Sequence, residues 1–416
     1  MRVRPHLSCL AAAVLVSACG TATPGPVSPS PASPSPTPTS TPVATEAPGL
    51  FVYVAARARK TISGFGAGRS TGTLTPMADA PIALSGEPLA MTVSGDTRFA
   101  YVGMAGGSDA LAAYAINRQT GTLRAVPASG RPAPAVAGEH GPLAAREILL
   151  HPSGRFAYVS FSYVTAKCAD ETSIYAYAVD SSSGMLSTLN LPPQSVGQGW
   201  APASLGLLAS GARLYSANAG DFEDPPCSKA PQFRGFAVDA GNGALSELAG
   251  SPFANGDRYG YYQWLGLRPA GDFLYLARQL DTLRFKLDPN TGSAKSQGVS
   301  PFALTGVAAF SPAGRLYVAA AESLAWGIRA FDIQSDTGEM VAIQGSPFTT
   351  PGPVKAITVD ASGRFLYAVQ PWNGAISAFA IDAATGALHA VSGSPTAIPA
   401  EPSDDIAIAT ADALAP

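Results

Sequence analysis

Two short motifs, each recurring seven times, restrict this chain more than any other feature. The first is an aromatic residue or arginine, one spacer and a tyrosine. It occurs at Phe51–Tyr53, Phe99–Tyr101, Phe156–Tyr158, Arg213–Tyr215, Phe273–Tyr275, Arg315–Tyr317 and Phe365–Tyr367. The second is Thr-Gly-x-Leu or a close variant, with its glycine at Gly72, Gly121, Gly184, Gly243, Gly292, Gly338 and Gly386. Copies are spaced roughly 42 to 63 residues apart, a period that marks one supersecondary unit repeated many times. A tight turn usually precedes the tyrosine motif, as in Pro152-Ser153-Gly154-Arg155 or Ala361-Ser362-Gly363-Arg364. An alternating stretch such as Ile376 to Asp382 separates the two motifs. Each unit therefore reads as strand A, turn, strand B, loop, strand C, Thr-Gly turn, strand D. The two-residue alternation excludes a helical solenoid, and four antiparallel strands per repeat match a propeller blade. The predicted fold is an all-β, seven-bladed β-propeller.

The order at the ends adds a prediction. The first unit starts at strand B, with no strand A before Phe51, and the segment Pro402 to Ala409 looks like a strand A with no B after it. The tail is expected to complete blade one, because ring closure removes the open sheet edges that would otherwise template aggregation.

The first 49 residues read differently from the rest. Arg2 and Arg4, an apolar stretch from Leu7 to Val16 and the small residues before Cys19 predict a signal peptide over 1–18. Val16-Ser17-Ala18-Cys19 resembles the lipobox of bacterial lipoproteins, which implies lipidation at Cys19. Residues 19–49 are rich in Pro, Ser and Thr with almost nothing to bury, so they read as an extended, disordered tether. The propeller is assigned to 50–416. The chain is expected to be exported and lipid-anchored to the cell envelope, at the periplasmic side of an outer membrane or at the cell surface. Beyond the N-terminus no apolar run is long enough to span a bilayer, so the lipid is the expected membrane contact. Charged residues are only 13% and the net charge is −3 with no basic run, which excludes nucleic acid as a partner. A monomer is expected.

In a propeller the B–C loops and D–A connections share one face, and the tight turns share the other. The loop face is long and variable, so the site is predicted there. Counting back from the A–B turn places Asp404, Glu87, Arg146, Ala203, Gln263, Gly306 and Lys355 at the start of strands A in blades one to seven, converging on the axis. Acids, bases and an amide in one ring suit a polar ligand, and equally suit a solvated, self-neutralising rim. Glu147 and Asp405 stand beside that ring. Tyr259, Tyr261, Tyr262 and Trp264 form an aromatic cluster that either stacks on a ligand ring or packs its own loop. Of the histidines, only His140 is expected on the loop face; His151 abuts a turn and His389 lies in a strand D. Cys168 and Cys227 fall in B–C loops of adjacent blades, and in an oxidising compartment they are expected to form a disulfide. No pairing of Cys or His has metal-ligand spacing, so no metal and no cofactor are expected. No Gly-x-Ser-x-Gly elbow, His-Glu-x-x-His or phosphate-binding loop is present.

The repeats, with phrases such as Gly345-Ser346-Pro347-Phe348 and Asp360-Ala361-Ser362-Gly363-Arg364-Phe365-Leu366-Tyr367, resemble the lactonase family of seven-bladed propellers, the 6-phosphogluconolactonase-like and carboxymuconate lactonizing enzyme-like proteins. The resemblance covers about Leu50 to Ala409. It implies hydrolysis of a lactone, with Glu147 or His140 activating water and Arg146 and Lys355 stabilising the oxyanion or a substrate anion. The chain departs from the family at Arg146, where the enzymes carry a histidine, and at Val159-Ser160-Phe161-Ser162, where the family often has Pro-Asp-Leu-Gly. The competing expectation is a non-catalytic envelope module that recognises a glycan, peptide or protein through the same face.

Overall fold

A computed structural model describes residues 48–134, 143–163, 171–198, 204–218, 232–253, 262, 264–278, 281–300, 302, 304, 307–322, 325–399 and 406–413. All of them belong to one compact unit, Thr45–Pro416. They form seven antiparallel sheets. The only helix among the described residues is a single 3-10 turn, Pro371–Asn373. No helix among the described residues is long and apolar enough to cross a membrane.

The seven innermost strands are Ile406–Asp412, Glu87–Val93, Leu143–Leu150, Ser204–Leu207, Trp264–Leu267, Ala308–Phe310 and Ala356–Val359, in blades one to seven. They touch one another in that order, and the seventh touches the first, so the ring is closed. The tail supplies the inner strand of blade one as the sequence predicts: Ile406–Asp412 pairs antiparallel with Pro48–Ala56, with Tyr53 opposite Ala409. Four of the sheets carry a short fifth strand that the repeat pattern does not announce: Ile82–Ala83, Gln194–Gln198, Phe348–Thr349 and Thr396–Ala397.

Both faces of each blade pack on a neighbour. For this reason strand B is buried along its whole length, as in Phe99–Ala105 and Phe156–Tyr163, and reads as a continuous apolar run. The core is divided into seven apolar clusters, each lying between two adjacent blades.

The two repeated motifs meet across these seams. The aromatic or arginine that opens each strand B lies under the Thr-Gly glycine of the next blade: Phe51 under Gly121, Phe156 under Gly243, Arg213 under Gly292, and Phe365 under Gly72 to close the circle. These glycines have φ near +70°, and a Cβ on Gly243 would come within 2.7 Å of Phe156. Backbone conformation and close approach together therefore select glycine. The motif tyrosines are all fully buried, and five of them reach the same turns. Tyr53, Tyr158, Tyr215, Tyr275 and Tyr317 donate their hydroxyls to the carbonyls of Gly121, Gly243, Gly292, Gly338 and Gly386 at 2.7–3.0 Å. The repetition in sequence is thus a latch in space, closed by glycine packing at all seven seams and by the tyrosine hydroxyl at five.

Candidate functional site

A cavity of about 340 Å³ lies at the propeller axis, walled by strands A of blades one, two, three, five, six and seven. Arg146, Glu147, Trp264 and Lys355 line it together with apolar wall residues that include Leu89, Val307 and Ile406. The structure thus brings four of the residues singled out in the sequence to one place.

Arg146 is set by a β-bulge. In blade three Phe161 pairs with Ala145 and Ser160 with Glu147, so Arg146 is the extra residue between them. Its Nε donates to Ser162 Oγ at 3.0 Å and its Nη2 to the Tyr163 carbonyl at 3.2 Å. The guanidinium is therefore fixed to strand B of its own blade.

The neighbouring Glu147 makes a contact of another kind. Its Oε2 accepts the backbone N–H of Leu205, on the inner strand of blade four, at 2.7 Å. Ser204 occupies the equivalent position in blade four and does the same for blade five, its Oγ accepting the N–H of Leu265 at 3.0 Å. Burial pushes the Glu147 carboxyl up to about 8, against the opposing effect of the Leu205 bond. Its side chain lines the axial cavity and is only partly exposed. At neutral pH the carboxyl is mostly protonated. It then adds no negative charge beside Arg146 and Lys355.

Lys355 is exposed at the blade-seven edge, with its backbone N–H bonded to Val369. Trp264 is half-buried and tilts against Phe310 with 6.1 Å between ring centroids. Tyr262 is buried, which favours the packing role for the described part of the aromatic cluster. His151 is also buried; its Nδ1 accepts the Ser153 N–H, and it belongs to the turn face. Among the described residues no group of three His, Cys, Asp or Glu side chains is placed to hold a metal.

The ring expected from the sequence is corrected in two blades. Register from the motif tyrosines puts Leu89 in blade two and Ile406 in blade one at the level of Arg146 and Lys355. Glu87 lies two residues earlier and pairs instead with Arg57 of blade one, Nε to Oε2 at 2.9 Å, away from the cavity. The count from the turn slips there because blade two has Ser94-Gly95 in place of the turn's His-Pro, and blade one has no A–B turn in the chain at all. Counting back from the residue opposite each tyrosine would have found both apolar wall residues. Asp404, Asp405, Gln263, His140, Cys19, Cys168 and Cys227 lie outside the described residues.

No protein-family model matches the chain, and no curated protein matches it by sequence. Solved structures match it across most of its length. A candidate 6-phosphogluconolactonase from Bacteroides uniformis superposes with a TM-score of 0.63 at 17% identity, covering 86% of this chain and 99% of that one. A similar candidate from Bacteroides fragilis gives 0.62 at 18% identity, with coverages of 89% and 100%. The periplasmic gluconolactonase of Pseudomonas aeruginosa gives 0.62 at 14% identity, with coverages of 88% and 100%. At such identities the likeness establishes the seven-bladed propeller fold, and the chemistry has to be argued from the site.

Proposed function

We propose that this protein is an exported hydrolase of a sugar lactone that carries an anionic group, with its site in the axial cavity. One observation carries the reading: Arg146, Lys355 and a carboxyl with a strongly raised pKa, Glu147, converge on one cavity of substrate size. The two cations attract the substrate anion and stabilise the oxyanion. Glu147, once ionised, takes a proton from water as the water oxygen attacks the ring carbonyl. The ring C–O bond then breaks, and Glu147 returns the proton to the departing alkoxide. The lactonases among the superposable structures support this class, and the periplasmic one supports export. Anchoring through a lipid on Cys19, a Cys168–Cys227 disulfide and a monomeric state belong to the same proposal.

The test is a pH-stat assay of the mature chain on 6-phosphogluconolactone and gluconolactone. A rate that rises through pH 8 and is lost in Glu147→Gln, with Arg146→Ala raising KM, is the expected result. No rate above buffer on either lactone overturns the hydrolase. The second reading, a binding module, is favoured by the bonds that already occupy Glu147 and Arg146. It predicts saturable binding of 6-phosphogluconate without turnover. Intact mass with and without reductant tests the disulfide, and the mass of the N-terminal peptide tests the lipid.

A further inference from the structure

The tyrosine latch fails at two seams, at Tyr367 between blades seven and one and at Tyr101 between blades two and three, and the second borders a large cavity. Tyr101 is fully buried, and its hydroxyl has no hydrogen-bond partner. The rest of that seam is in register: Phe99 lies under Gly184 as its counterparts do elsewhere, and Arg131 Nε reaches across to the Leu186 carbonyl at 2.8 Å. The hydroxyl alone is left over. A cavity of about 520 Å³ opens at this seam on the turn face, and Tyr101 forms part of its wall. At the latched seam between blades one and two, the gap lined by Tyr53 and Gly121 is only about 10 Å³. An unpartnered buried hydroxyl is uncommon and costs free energy until something bonds it.

The groove's chemistry restricts what that something is. Val93, Phe99, Leu149, Leu150, Val179 and Leu208 make most of its wall apolar. Asp96 and Ser94 stand on it, and Arg98 pairs with Asp96 from beside it. Partial burial pushes the Asp96 carboxyl up, but hydrogen bonds from the Ser94 hydroxyl and Arg98 outweigh this and hold it below its ordinary value. It is a carboxylate at neutral pH paired with the Arg98 guanidinium, so the pair adds no net charge and the mostly apolar wall favours an uncharged ligand. The groove is therefore unlike the axial cavity, which Arg146, Glu147 and Lys355 line.

From this we infer that the groove between blades two and three is a second ligand site, separate from the axial cavity, for an uncharged and mostly apolar ring compound whose hydroxyl or carbonyl pairs with the Tyr101 hydroxyl. The inference stands whether or not the protein hydrolyses lactones.

Ligand-observed saturation-transfer NMR on the mature chain tests it with three probes: p-cresol, toluene and 4-methylbenzoate. Saturable binding is expected for p-cresol. Toluene, lacking the hydroxyl, is expected to bind about five-fold more weakly, the weight of one hydrogen bond, and 4-methylbenzoate more weakly still. Tyr101→Phe should weaken p-cresol by about the same five-fold factor and leave toluene unchanged. Because that hydroxyl bonds nothing in the protein, the variant should keep its melting temperature. Leu208→Trp, which fills the groove from the blade-four side, should abolish binding of both neutral probes while gluconate binding at the axis persists. The proposal is overturned if p-cresol does not saturate, if it survives Leu208→Trp, or if Tyr101→Phe binds it as well as the parent.

Discussion

Two adjacent seams of this ring are built from the same parts and closed differently. Between blades three and four, Phe156 sits under Gly243, and Arg155 clamps the Ala240 and Gly241 carbonyls at 3.2 and 3.0 Å. Tyr158 donates to Gly243, and Glu147 accepts from Leu205 at the inner strand. Between blades two and three, Phe99 sits under Gly184 and Arg98 clamps the Ser181 carbonyl, but Tyr101 bonds nothing. The inner-strand position equivalent to Glu147 is Ala90, which has no acceptor to offer. Apolar packing and the rim clamp are thus common to both seams and set their register. The polar contacts differ and decide whether the seam is filled or grooved. A closed ring tolerates such an open seam because each blade is still held from its other side. On this view, losing a whole strand should cost far more than losing any one polar contact.

The most severe test removes the closing strand. A chain ending at Ile398 lacks Ile406–Asp412 and exposes the edge of Pro48–Ala56 along seven residue pairs. It also strips apolar cover from Phe51, Tyr53 and Val102. A loss of about 5 kcal/mol or more is expected, comparable to the whole stability of many domains. Urea denaturation should show a lost or non-cooperative transition. A truncated chain that unfolds like the parent would mean that the ring does not depend on closure.

Next in size is the carboxyl at the inner strand of the seam between blades three and four. An unfolded Glu147 ionises near its ordinary value of 4.5, whereas the folded one holds its proton to about pH 8. Between those values the native state binds one more proton than the unfolded state. Its stability from this group is therefore highest below 4.5, falls as pH rises, and is flat above 8. Gln at this position keeps an acceptor for the Leu205 N–H and has no charge to bury. Glu147→Gln should match the parent near pH 4 and exceed it at pH 9 by about 3 kcal/mol, less than the full shift implies because the side chain is partly exposed. Urea midpoints at the two pH values measure this. Equal midpoints at pH 9 would place the carboxylate in water. The same substitution removes the proposed general base, so stability and hydrolysis should move in opposite directions.

What could be read from the sequence follows the same division. Blade count, strand order and tail closure were legible because the tyrosine and glycine motifs are selected by contacts repeated at every seam, as Tyr158 with Gly243 and Tyr275 with Gly338 show. Arg146, Glu147 and Lys355 could be placed near the axis because they lie at fixed distances from those motifs, whereas Trp264 was singled out only as part of an aromatic cluster. Glu87 was misplaced because its blade lacks the turn proline used for counting. The silent hydroxyl of Tyr101 could not be read at all, since its motif, Phe99-Ala100-Tyr101, matches Phe156-Ala157-Tyr158 residue for residue. Its difference from Tyr158 lies in what the hydroxyl meets across the seam, which no local pattern encodes.

That pair gives the smallest effect and the sharpest comparison. Both tyrosines are fully buried, and burial pushes both hydroxyl pKa values up. Neither ionises near neutral pH, so the difference between them is one of hydrogen bonding alone. Tyr158→Phe removes the 3.0 Å bond to Gly243 and leaves that carbonyl in an apolar seam. A loss of about 1 kcal/mol is expected, or about 2 if the orphaned carbonyl finds no water. Tyr101→Phe removes a hydroxyl that bonds nothing, so it should be neutral or stabilising by a few tenths of a kcal/mol, roughly the relief of an unpaired polar group. Urea denaturation of the two variants beside the parent, with equal m-values, isolates the difference. If both substitutions cost the same, Tyr101 has a partner in solution, and the contrast between the two seams disappears.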